Sequence, residues 1–514
     1  MPRSWYVLDT IYLMILIGAT RVSYRLIRLR RQNRTFPWSK RKKVMIIGGG
    51  EAGRSLITEI QNSKYLDQKV VCIIDDDPYK IGRYIKGVKV VGNRNSIKKS
   101  VKKYNVQQII LTIPSANAAK IRPIVEICQD TNCELMILPG VYQLVNGEVR
   151  ASKLRPVNID DLLGRDEVYV NLNEVMDYVS GRVIMVTGGG GSIGSELCRQ
   201  IAKHSPKQLI IFDIYENNAY DIQQELLREQ PKLDLVVLIG SVRDENRINS
   251  IFEQYRPEII YHAAAHKHVP LMEGSPNEAI KNNVLGTYNM VRMADKWNVK
   301  RFVQISTDKA VNPTNIMGAS KRICEMIIQT YNKESNTEYV AVRFGNVLGS
   351  NGSVIPLFKK QIAEGGPVTV THPEIIRYFM TIPEAVSLVL QAGAYAKGGE
   401  IFVLDMGEPV KILDLARNMI RLSGYKVDQD IKIEFTGLRP GEKLYEELLM
   451  DEEGMTDTPN KLIHIGHPID VDEVKLAYAL RVLESAAQNE TDDMRLIVES
   501  IVPTYHPKLN KSTQ

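Results

Sequence analysis

The chain has few cysteines, and they lie far apart. Five thiols are spread over 514 residues, and no two of them form a Cys-x-x-Cys pair; they are Cys72, Cys128, Cys133, Cys198 and Cys324. Zinc sites and disulfide frameworks need closely spaced or paired cysteines, so neither is expected to hold this fold together. The odd number of thiols fits a protein of a reducing compartment.

Long apolar runs are also scarce. The clean run Ile11–Ala19 is shorter than the roughly 20 residues that span a bilayer, and Asp9 interrupts its approach. Residues 1–43 nevertheless hold eleven Lys and Arg residues against that single acid. We expect residues 1–36 to form a membrane anchor helix with a basic juxtamembrane segment, which leaves the domains that follow on the cytoplasmic side of the inner or plasma membrane. A helix lying in the membrane interface is the first alternative, and an ordinary soluble helix the second.

The basic surplus is confined to this terminus. The net charge is +6 for the whole chain, so the residues after position 43 are net acidic. No basic surface spreads over the protein, and we expect no nucleic-acid partner. The terminus also lacks a small-residue cleavage site, which argues against a secretory signal peptide.

A first glycine-rich turn follows a short apolar strand. Gly48, Gly50 and Gly53 form G-x-G-x-x-G before a helix pattern, and Asp75 ends the next strand. This context predicts a small Rossmann-like domain over residues 40–160. No acid/base cluster accompanies the motif, so a nucleotide-like ligand and a structural or regulatory domain with an empty site both remain open.

A second and more complete nucleotide-fold pattern follows a linker at residues 161–181. Thr187 begins T-G-x-x-G-x-x-G, whose glycines allow a pyrophosphate to approach the backbone at a helix N-terminus. The expected cofactor contacts of this loop are Gly188, Gly191, Ser192, Ile193 and Gly194.

Strands alternating with helices predict a doubly wound parallel sheet, in which ligands bind beyond the carboxyl ends of the strands. Asp213 lies at such an end. A carboxylate there accepts both ribose hydroxyls of NAD and repels the extra phosphate of NADP, so we expect NAD. Other expected cofactor contacts at strand ends are Asp244, Ala263, Ala264 and Ala265.

Seven motifs in order carry a resemblance to a known family. They are TGGGGSIGSEL, AAAHKHVPLME, NNVLGT, STDKAVNPTNIMGASKR, RFGNVLGSNGSVIP, THPEIIRYFMTIPEA and GLRPGEKLYEELL. Together they resemble the UDP-N-acetylglucosamine 4,6-dehydratases of bacterial polysaccharide biosynthesis, in the extended short-chain dehydrogenase/reductase superfamily. The resemblance implies two consecutive Rossmann-like domains, the first CoA-binding-like. The second, at residues 182–468, is an extended catalytic domain with a small substrate-binding part, and a tail follows at 469–514. It also implies NAD as cofactor, UDP-N-acetylglucosamine as substrate and a homo-oligomer.

The acid/base tyrosine of short-chain dehydrogenases is replaced by Met317. A thioether cannot exchange a proton, so either activity is lost or the chemistry lies elsewhere. The family shares this methionine, which favours an active enzyme. The resemblance assigns the C4 oxygen to Thr307, the departing C6 hydroxyl to Asp308, the C5 proton to Lys309 and the nicotinamide ribose to Lys321. Deprotonation of the C4 hydroxyl stays open between Asp308 and a water held by Thr307.

The remaining candidates lie on the substrate side. We expect Lys267 and Met317 to face the substrate, and Arg377 and Arg439 to bind its diphosphate, with surface salt bridges as the alternative for each arginine. The full set of expected substrate contacts is Lys267, Met317, Arg343, Asn346, Ser353, Arg377, Arg439 and Glu442. The His262, His266 and His268 spacing straddles a strand end, and we expect no metal.

The sequence therefore favours a membrane-anchored, NAD-using dehydratase that makes a 4-keto-6-deoxy sugar nucleotide for a capsule, O-antigen or glycan. The M-x-x-x-K pattern leans, by resemblance, towards retention at C5. The alternatives are a nucleotide-sugar 4-epimerase on the same fold and a non-catalytic membrane scaffold.

Overall fold

The computed structural model describes residues 12–25, 41–63, 67–116, 118–131, 133–138, 154–158, 161, 175–447, 454–466 and 471–506. Residues 12–25 are helical (α1). In these ranges no helix has the length and apolarity needed to cross a bilayer. The expected anchor helix of residues 1–36 has no support there, and its other residues lie outside the described part. The chain divides into two compact units, Met1–Leu162 and Leu163–Gln514.

The first unit contains a mostly parallel sheet in the order β3-β4-β2-β1-β5-β6-β7. Its strands β1, β2 and β5 are almost wholly apolar because helices cover both faces of a parallel sheet. The elements are β1 (Lys42–Ile47), α2 (Glu51–Asn62), β2 (Gln68–Ile74), β3 (Tyr84–Ile85), β4 (Val88–Gly92), α3 (Ile97–Tyr104), β5 (Gln108–Leu111), α4 (Ala118–Gln129), β6 (Glu134–Ile137) and β7 (Arg155–Pro156). This confirms the first Rossmann-like sheet.

The second unit contains a longer sheet in the order β10-β9-β8-β11-β12-β13-β18-β22-β21. All neighbours from β10 to β18 pair in parallel, and β22 and β21 close the edge antiparallel. Its first part comprises β8 (Val183–Thr187), α5 (Ser192–Ala202), β9 (Gln208–Asp213), α6 (Glu216–Glu229), β10 (Leu235–Ile239), α7 (Glu245–Tyr255), β11 (Ile259–His262), α8 (Val269–Gly274), α9 (Pro276–Ala279), a π-helix (Ile280–Leu285), α10 (Gly286–Lys296), β12 (Arg301–Ile305), α11 (Ile316–Glu334) and β13 (Glu338–Arg343).

The later elements add a smaller lobe and complete the sheet. Three two-stranded sheets, β14-β17, β15-β20 and β16-β19, build that lobe. The elements are β14 (Asn346–Val347), α12 (Val354–Ala363), β15 (Val368–Val370), β16 (Ile376–Arg377), β17 (Phe379–Met380), α13 (Ile382–Tyr395), β18 (Ile401–Leu404), β19 (Val410–Lys411), α14 (Ile412–Leu422), β20 (Ile433–Phe435), β21 (Met455–Asp457), β22 (Ile463–Gly466), α15 (Glu473–Gln488) and α16 (Met494–Ile501).

Strand side chains of the second unit alternate between two cores. Ile184 and Val186 pack with α5 and α13 on one face, whereas Met185 packs on the other face with α10 and α11. The strand order changes direction between the neighbouring strands β8 and β11. From β8 the chain adds β9 and β10 on one side, and from β11 it adds β12 and β13 on the other. Such a switch point opens a crevice at the carboxyl ends of the strands.

The C-terminal segment differs from the expected tail. Helices α15 and α16 pack on the catalytic unit, and Leu480, Leu483, Met494 and Val498 are buried in its core. The segment is polar on average, but its apolar residues recur at helical spacing on one face. The average composition of the segment does not reveal this periodicity, so the two packed helices were not predicted.

Candidate active site

A cavity of about 890 Å³ opens in the second unit where β8, β11 and β12 end. Its walls come from the glycine-rich loop, the segment after β11, the Thr307–Lys309 turn, the start of α11 and the loop around Arg439. The volume lies within the range of small-molecule and cofactor sites. Residues that follow β8, β11 and β12 thus meet in one cavity, as the predicted parallel sheet implies.

The glycine-rich loop fits a dinucleotide pyrophosphate. Gly188 has φ +65°, and a Cβ there would lie 2.8 Å from the backbone nitrogen of Ala264. A Cβ on Gly194 would overlap the Gly188 carbonyl oxygen. Helix α5 begins after Gly191 without a side-chain cap, so its first amide groups are not used by a capping side chain. Of the expected cofactor contacts, Gly188, Gly191, Ser192, Ile193, Gly194, Ala263, Ala265 and Lys321 line the cavity.

The two carboxylates among the expected cofactor contacts both accept hydrogen bonds from backbone amides. Asp213 ends β9 and accepts hydrogen bonds from Gly190 (2.8 Å) and Tyr215 (2.8 Å). Asp244 caps α7 by accepting from the Arg247 amide at 2.9 Å. Neither carboxylate is among the cavity-lining residues, and Asp244 has a local capping task that the sequence analysis did not foresee.

The Thr307–Lys309 turn places its three side chains in two layers. Thr307 and Lys309 line the cavity, whereas Asp308 is fully buried behind them. The Thr307 hydroxyl donates to Asp308 Oδ1 at 2.9 Å, and Lys309 Nζ donates to the same oxygen at 2.9 Å. Asp308 Oδ2 is buried and makes no hydrogen bond within the described residues. Asp308 therefore reaches the cavity only through its two neighbours.

The pKa of Lys309 is raised by two neighbouring carboxylates. Burial is the largest single influence and lowers the pKa of Lys309, but the negative charges of Asp308 and Glu446 together outweigh it. The pKa of Lys309 lies above its ordinary value as a result. Burial alone would favour a neutral amine, but the two carboxylates favour the ammonium form at this site.

Helix α11 brings Met317 and Lys321 to the cavity wall. Both are buried, and burial lowers the pKa of Lys321. Asn315 caps the helix by accepting from the Gly318 amide at 2.8 Å. A Cβ on Gly318 would overlap the Lys309 carbonyl oxygen, so this glycine lets the helix approach the catalytic turn.

The histidines of the H-x-x-x-H-x-H segment have separate environments. His262 is buried between the hydroxyls of Thr187 (2.7 Å) and Thr287 (3.1 Å). Burial, and then the charge of Lys321, lower the pKa of His262 to about 3. Asn283, in the π-helix, accepts from the His266 amide at 2.8 Å and donates to its carbonyl at 3.0 Å, which fixes the segment that follows β11.

Two expected substrate arginines are occupied elsewhere. Arg343 is 1% exposed, lies outside the cavity lining and pairs with Glu325 through two contacts of 2.7 Å. Arg377 lines the cavity, but its guanidinium donates to the carbonyls of Ile376 (2.7 Å), Lys443 (2.7 Å) and Leu444 (3.2 Å). Arg343 therefore holds the protein interior instead of the predicted substrate, whereas Arg377 stays at the cavity wall and also holds a loop.

The other expected substrate contacts all line the cavity: Lys267, Met317, Asn346, Ser353, Arg439 and Glu442. Arg439 has a side chain that is 54% exposed, and it contacts Glu442 at 3.2 Å. Burial lowers the pKa of Lys267. Ser353 Oγ is buried at the start of α12 and makes no hydrogen bond in the part of the chain that the structure describes.

Glu446 is a cavity residue that the sequence analysis missed. It is 8% exposed and contacts Lys309 Nζ at 3.5 Å and Arg377 Nε at 3.4 Å. Its sequence context, two consecutive glutamates after an Arg-Pro-Gly turn, resembles an ordinary exposed face. Only the folded chain brings it to a lysine more than a hundred residues earlier in the sequence.

Comparison with known proteins adds the family. A family model described as polysaccharide biosynthesis protein matches residues 184–468. This chain belongs to that family. A second model, described as a CoA-binding domain, matches residues 3–139.

Relatives of this polysaccharide biosynthesis protein cover much of its length. The capsular polysaccharide biosynthesis protein CapD of Staphylococcus aureus is 49% identical over 443 residues, which are 86% of this chain and 73% of that protein. The UDP-glucose 4-epimerase of Rickettsia bellii is 36% identical over 279 residues, 53% of this chain and 79% of the epimerase. The solved structure of Pen from Bacillus thuringiensis is 35% identical, with a TM-score of 0.53, and covers 57% of this chain and 90% of that one. These likenesses confirm the family resemblance seen in the sequence.

Proposed function

We propose that this polysaccharide biosynthesis protein is an NAD-dependent 4,6-dehydratase of UDP-N-acetylglucosamine that retains the C5 configuration. The observation that carries the proposal is the shared wall of one cavity: the glycine-rich loop, the Thr307–Lys309 turn and Met317 line it together. A 4-epimerase needs one acid/base group at C4 and none at C6. A turn that presents a hydroxyl and an ammonium over a buried carboxylate is better suited to an elimination.

The bound dinucleotide would supply a hydride acceptor for C4 and return the same hydride to C6. The residues that would hold it are those of the loop at the N-terminus of α5, with Asp213 for the adenosine ribose and Lys321 for the nicotinamide ribose. The uncapped amides of α5 suit its pyrophosphate.

The C4 hydroxyl would lose its proton through Thr307. The Thr307 hydroxyl donates to Asp308 Oδ1, so its own oxygen can accept from a sugar hydroxyl at the cavity wall. A proton taken from O4 then moves through Thr307 to the buried carboxylate. Asp308 returns it by the same route to the departing C6 hydroxyl, which leaves as water. This path replaces the direct contact of Asp308 with the sugar that the sequence analysis expected.

Lys309 would remove the C5 proton once the C4 ketone has acidified it, and would return it to the same face after the hydride reaches C6. Arg439 and Lys267 are the accessible cations for the diphosphate. Met317 contributes packing beside the reacting sugar and no proton.

The test uses the full chain with UDP-N-acetylglucosamine deuterated at C4, followed by mass spectrometry and NMR. We expect loss of one water and transfer of the deuterium to C6. In heavy water, unlabelled substrate should gain one deuterium at C5. A product of unchanged mass with inverted C4 would instead establish the epimerase activity that is named for the Rickettsia relative. Absence of turnover by the NAD-loaded protein would leave the scaffold hypothesis.

We also propose attachment to the cytoplasmic face of the bacterial membrane, supported by the arginine-rich residues 1–43. Vesicles containing anionic lipid should retain the full chain at low salt, and a chain starting at residue 41 should remain in the supernatant. Equal behaviour of the two would contradict the proposal.

A further inference from the structure

We propose that Glu446 is a positioning residue that takes up the ammonium proton of Lys309 during turnover and returns it afterwards; this inference rests on the proposed dehydration. The position of Glu446 beside Lys309 and the proton count of the reaction carry the inference.

Glu446 is the second carboxylate beside the Lys309 ammonium group, after Asp308. Lys309 Nζ is 2.9 Å from Asp308 Oδ1 and 3.5 Å from Glu446 Oε1. The second oxygen, Glu446 Oε2, is buried and makes no hydrogen bond within the described residues. A carboxylate oxygen without a partner in a buried site is free to receive a proton.

The reaction needs one more proton acceptor than the Thr307–Lys309 turn contains. At the start Lys309 is an ammonium ion, since the surrounding carboxylates raise its pKa. Asp308 receives the proton of the C4 hydroxyl and must keep it for the C6 hydroxyl. Lys309 must nevertheless be a neutral amine before it can remove the proton from C5. The ammonium proton therefore has to leave to a third group.

Glu446 is the group best placed to receive it. An N–H bond of Lys309 breaks and an O–H bond forms on Glu446, with no change in oxidation state. After C5 regains its proton, Glu446 returns its own to Lys309, and the site is restored. Glu442 is a poorer acceptor because both of its carboxylate oxygens have partners: Oε1 contacts Arg439 at 3.2 Å, and Oε2 accepts from the Arg439 amide at 3.1 Å.

Neighbouring groups hold Glu446 in this place. Arg377 Nε lies 3.4 Å from Oε1, and the same guanidinium binds the carbonyls of Lys443 and Leu444 just before Glu446. Lys443 Nζ donates to the Val311 carbonyl at 3.1 Å, which joins this loop to the segment after the catalytic turn. The charged groups that face Glu446 are thus Lys309 and Arg377, with Asp308 behind the lysine and Glu442 along the loop.

The test compares Glu446→Gln with the wild-type full chain and with Glu447→Gln. Glu447 is the matched control, because its half-exposed side chain contacts Asn312 and Lys443 at the surface. We expect the Glu447 variant to match the wild type. The Glu446→Gln variant should lose roughly 100-fold or more in kcat near neutral pH. Its kcat should recover as pH rises, by about tenfold per pH unit, because solvent then takes the Lys309 proton. The wild-type kcat should change little over the same range.

A Glu446→Asp variant keeps a carboxylate and guards against a folding defect of the glutamine variant. It should show a reduced kcat with the flat pH dependence of the wild type. Equal activity of Glu446→Gln and wild type, or a loss in kcat that is the same at every pH, would overturn the inference. If the wild type dehydrates the sugar and Glu446→Gln does so equally well, only this inference fails. If the wild type yields an epimer, the proposed function fails first.

Discussion

Acidification should destabilise the catalytic unit through His262, a group that takes no part in the proposed chemistry. Burial and the charge of Lys321 place the pKa of His262 at about 3 in the folded protein, whereas an unfolded histidine has a pKa of about 6.5. The unfolded state therefore binds a proton at a pH where the folded state does not. Stability is complete above the unfolded pKa and is lost as pH falls towards the folded one.

The size of the effect follows from the two pKa values. The pKa of an unfolded histidine lies about 1.5 units above pH 5. Protonation of His262 at that pH therefore favours the unfolded chain by about 2 kcal/mol. The folded site cannot offset this, because burial and the positive charge of Lys321 both disfavour the imidazolium form of His262 there. A His262→Gln variant cannot titrate there and should lack this part of the acid sensitivity.

Hydrogen exchange of peptides from β8 and β11 measures the effect, because it reports the opening of this region rather than of the whole chain. Between about pH 7 and 5 the opening free energy of the wild type should fall by about 2 kcal/mol more than that of His262→Gln. Other titrating groups are common to both proteins and cancel in the difference. Parallel pH dependences for the two proteins would refute the reasoning.

Two further substitutions test the site. Gly318→Ala places a Cβ against the Lys309 carbonyl and should reduce kcat by at least about tenfold. Ala319→Gly, on the same helix, is the control and should retain the catalytic geometry. Equal kcat values of the two variants in a dehydration assay would contradict this account. Arg439→Ala should raise KM by roughly 10- to 100-fold with kcat nearly unchanged, since a charged contact contributes about 1.5–3 kcal/mol. Arg417→Ala, an exposed arginine of α14, serves as its control in the same kinetics, and an Arg439→Ala effect on kcat alone would oppose a binding role.

The glycine loops, the strand ends and the catalytic turn could be predicted because each is a local pattern. Gly188, Gly191 and Gly194 lie close together in the sequence at the start of one helix, and alternation of strands and helices is enough to bring strand ends together. The presence of Met317 and Lys309 in one cavity wall follows from the same local order.

The tasks of the long-range ion pairs could not be predicted from local patterns. Arg343 and Glu325, or Glu446 and Lys309, meet only after the sheet and the small lobe are assembled. A sequence shows that an arginine is available but not which carboxylate or carbonyl is close enough to hold it. The raised pKa of Lys309 was missed for that reason, because its second carboxylate lies on a distant loop.

The contact between Asn315 and Gly441 joins what would otherwise be separate parts of an enzyme. Asn315 caps α11 with its oxygen and donates from its amide nitrogen to the Gly441 carbonyl at 3.1 Å, and Thr314 donates to the same carbonyl at 3.0 Å. Gly441, with φ +74°, leaves no room for a side chain there. A loop transplanted from a relative to alter substrate preference must therefore carry its partner segment at residues 312–318 with it. In this fold, a change to the loop around Gly441 therefore also changes the support of helix α11.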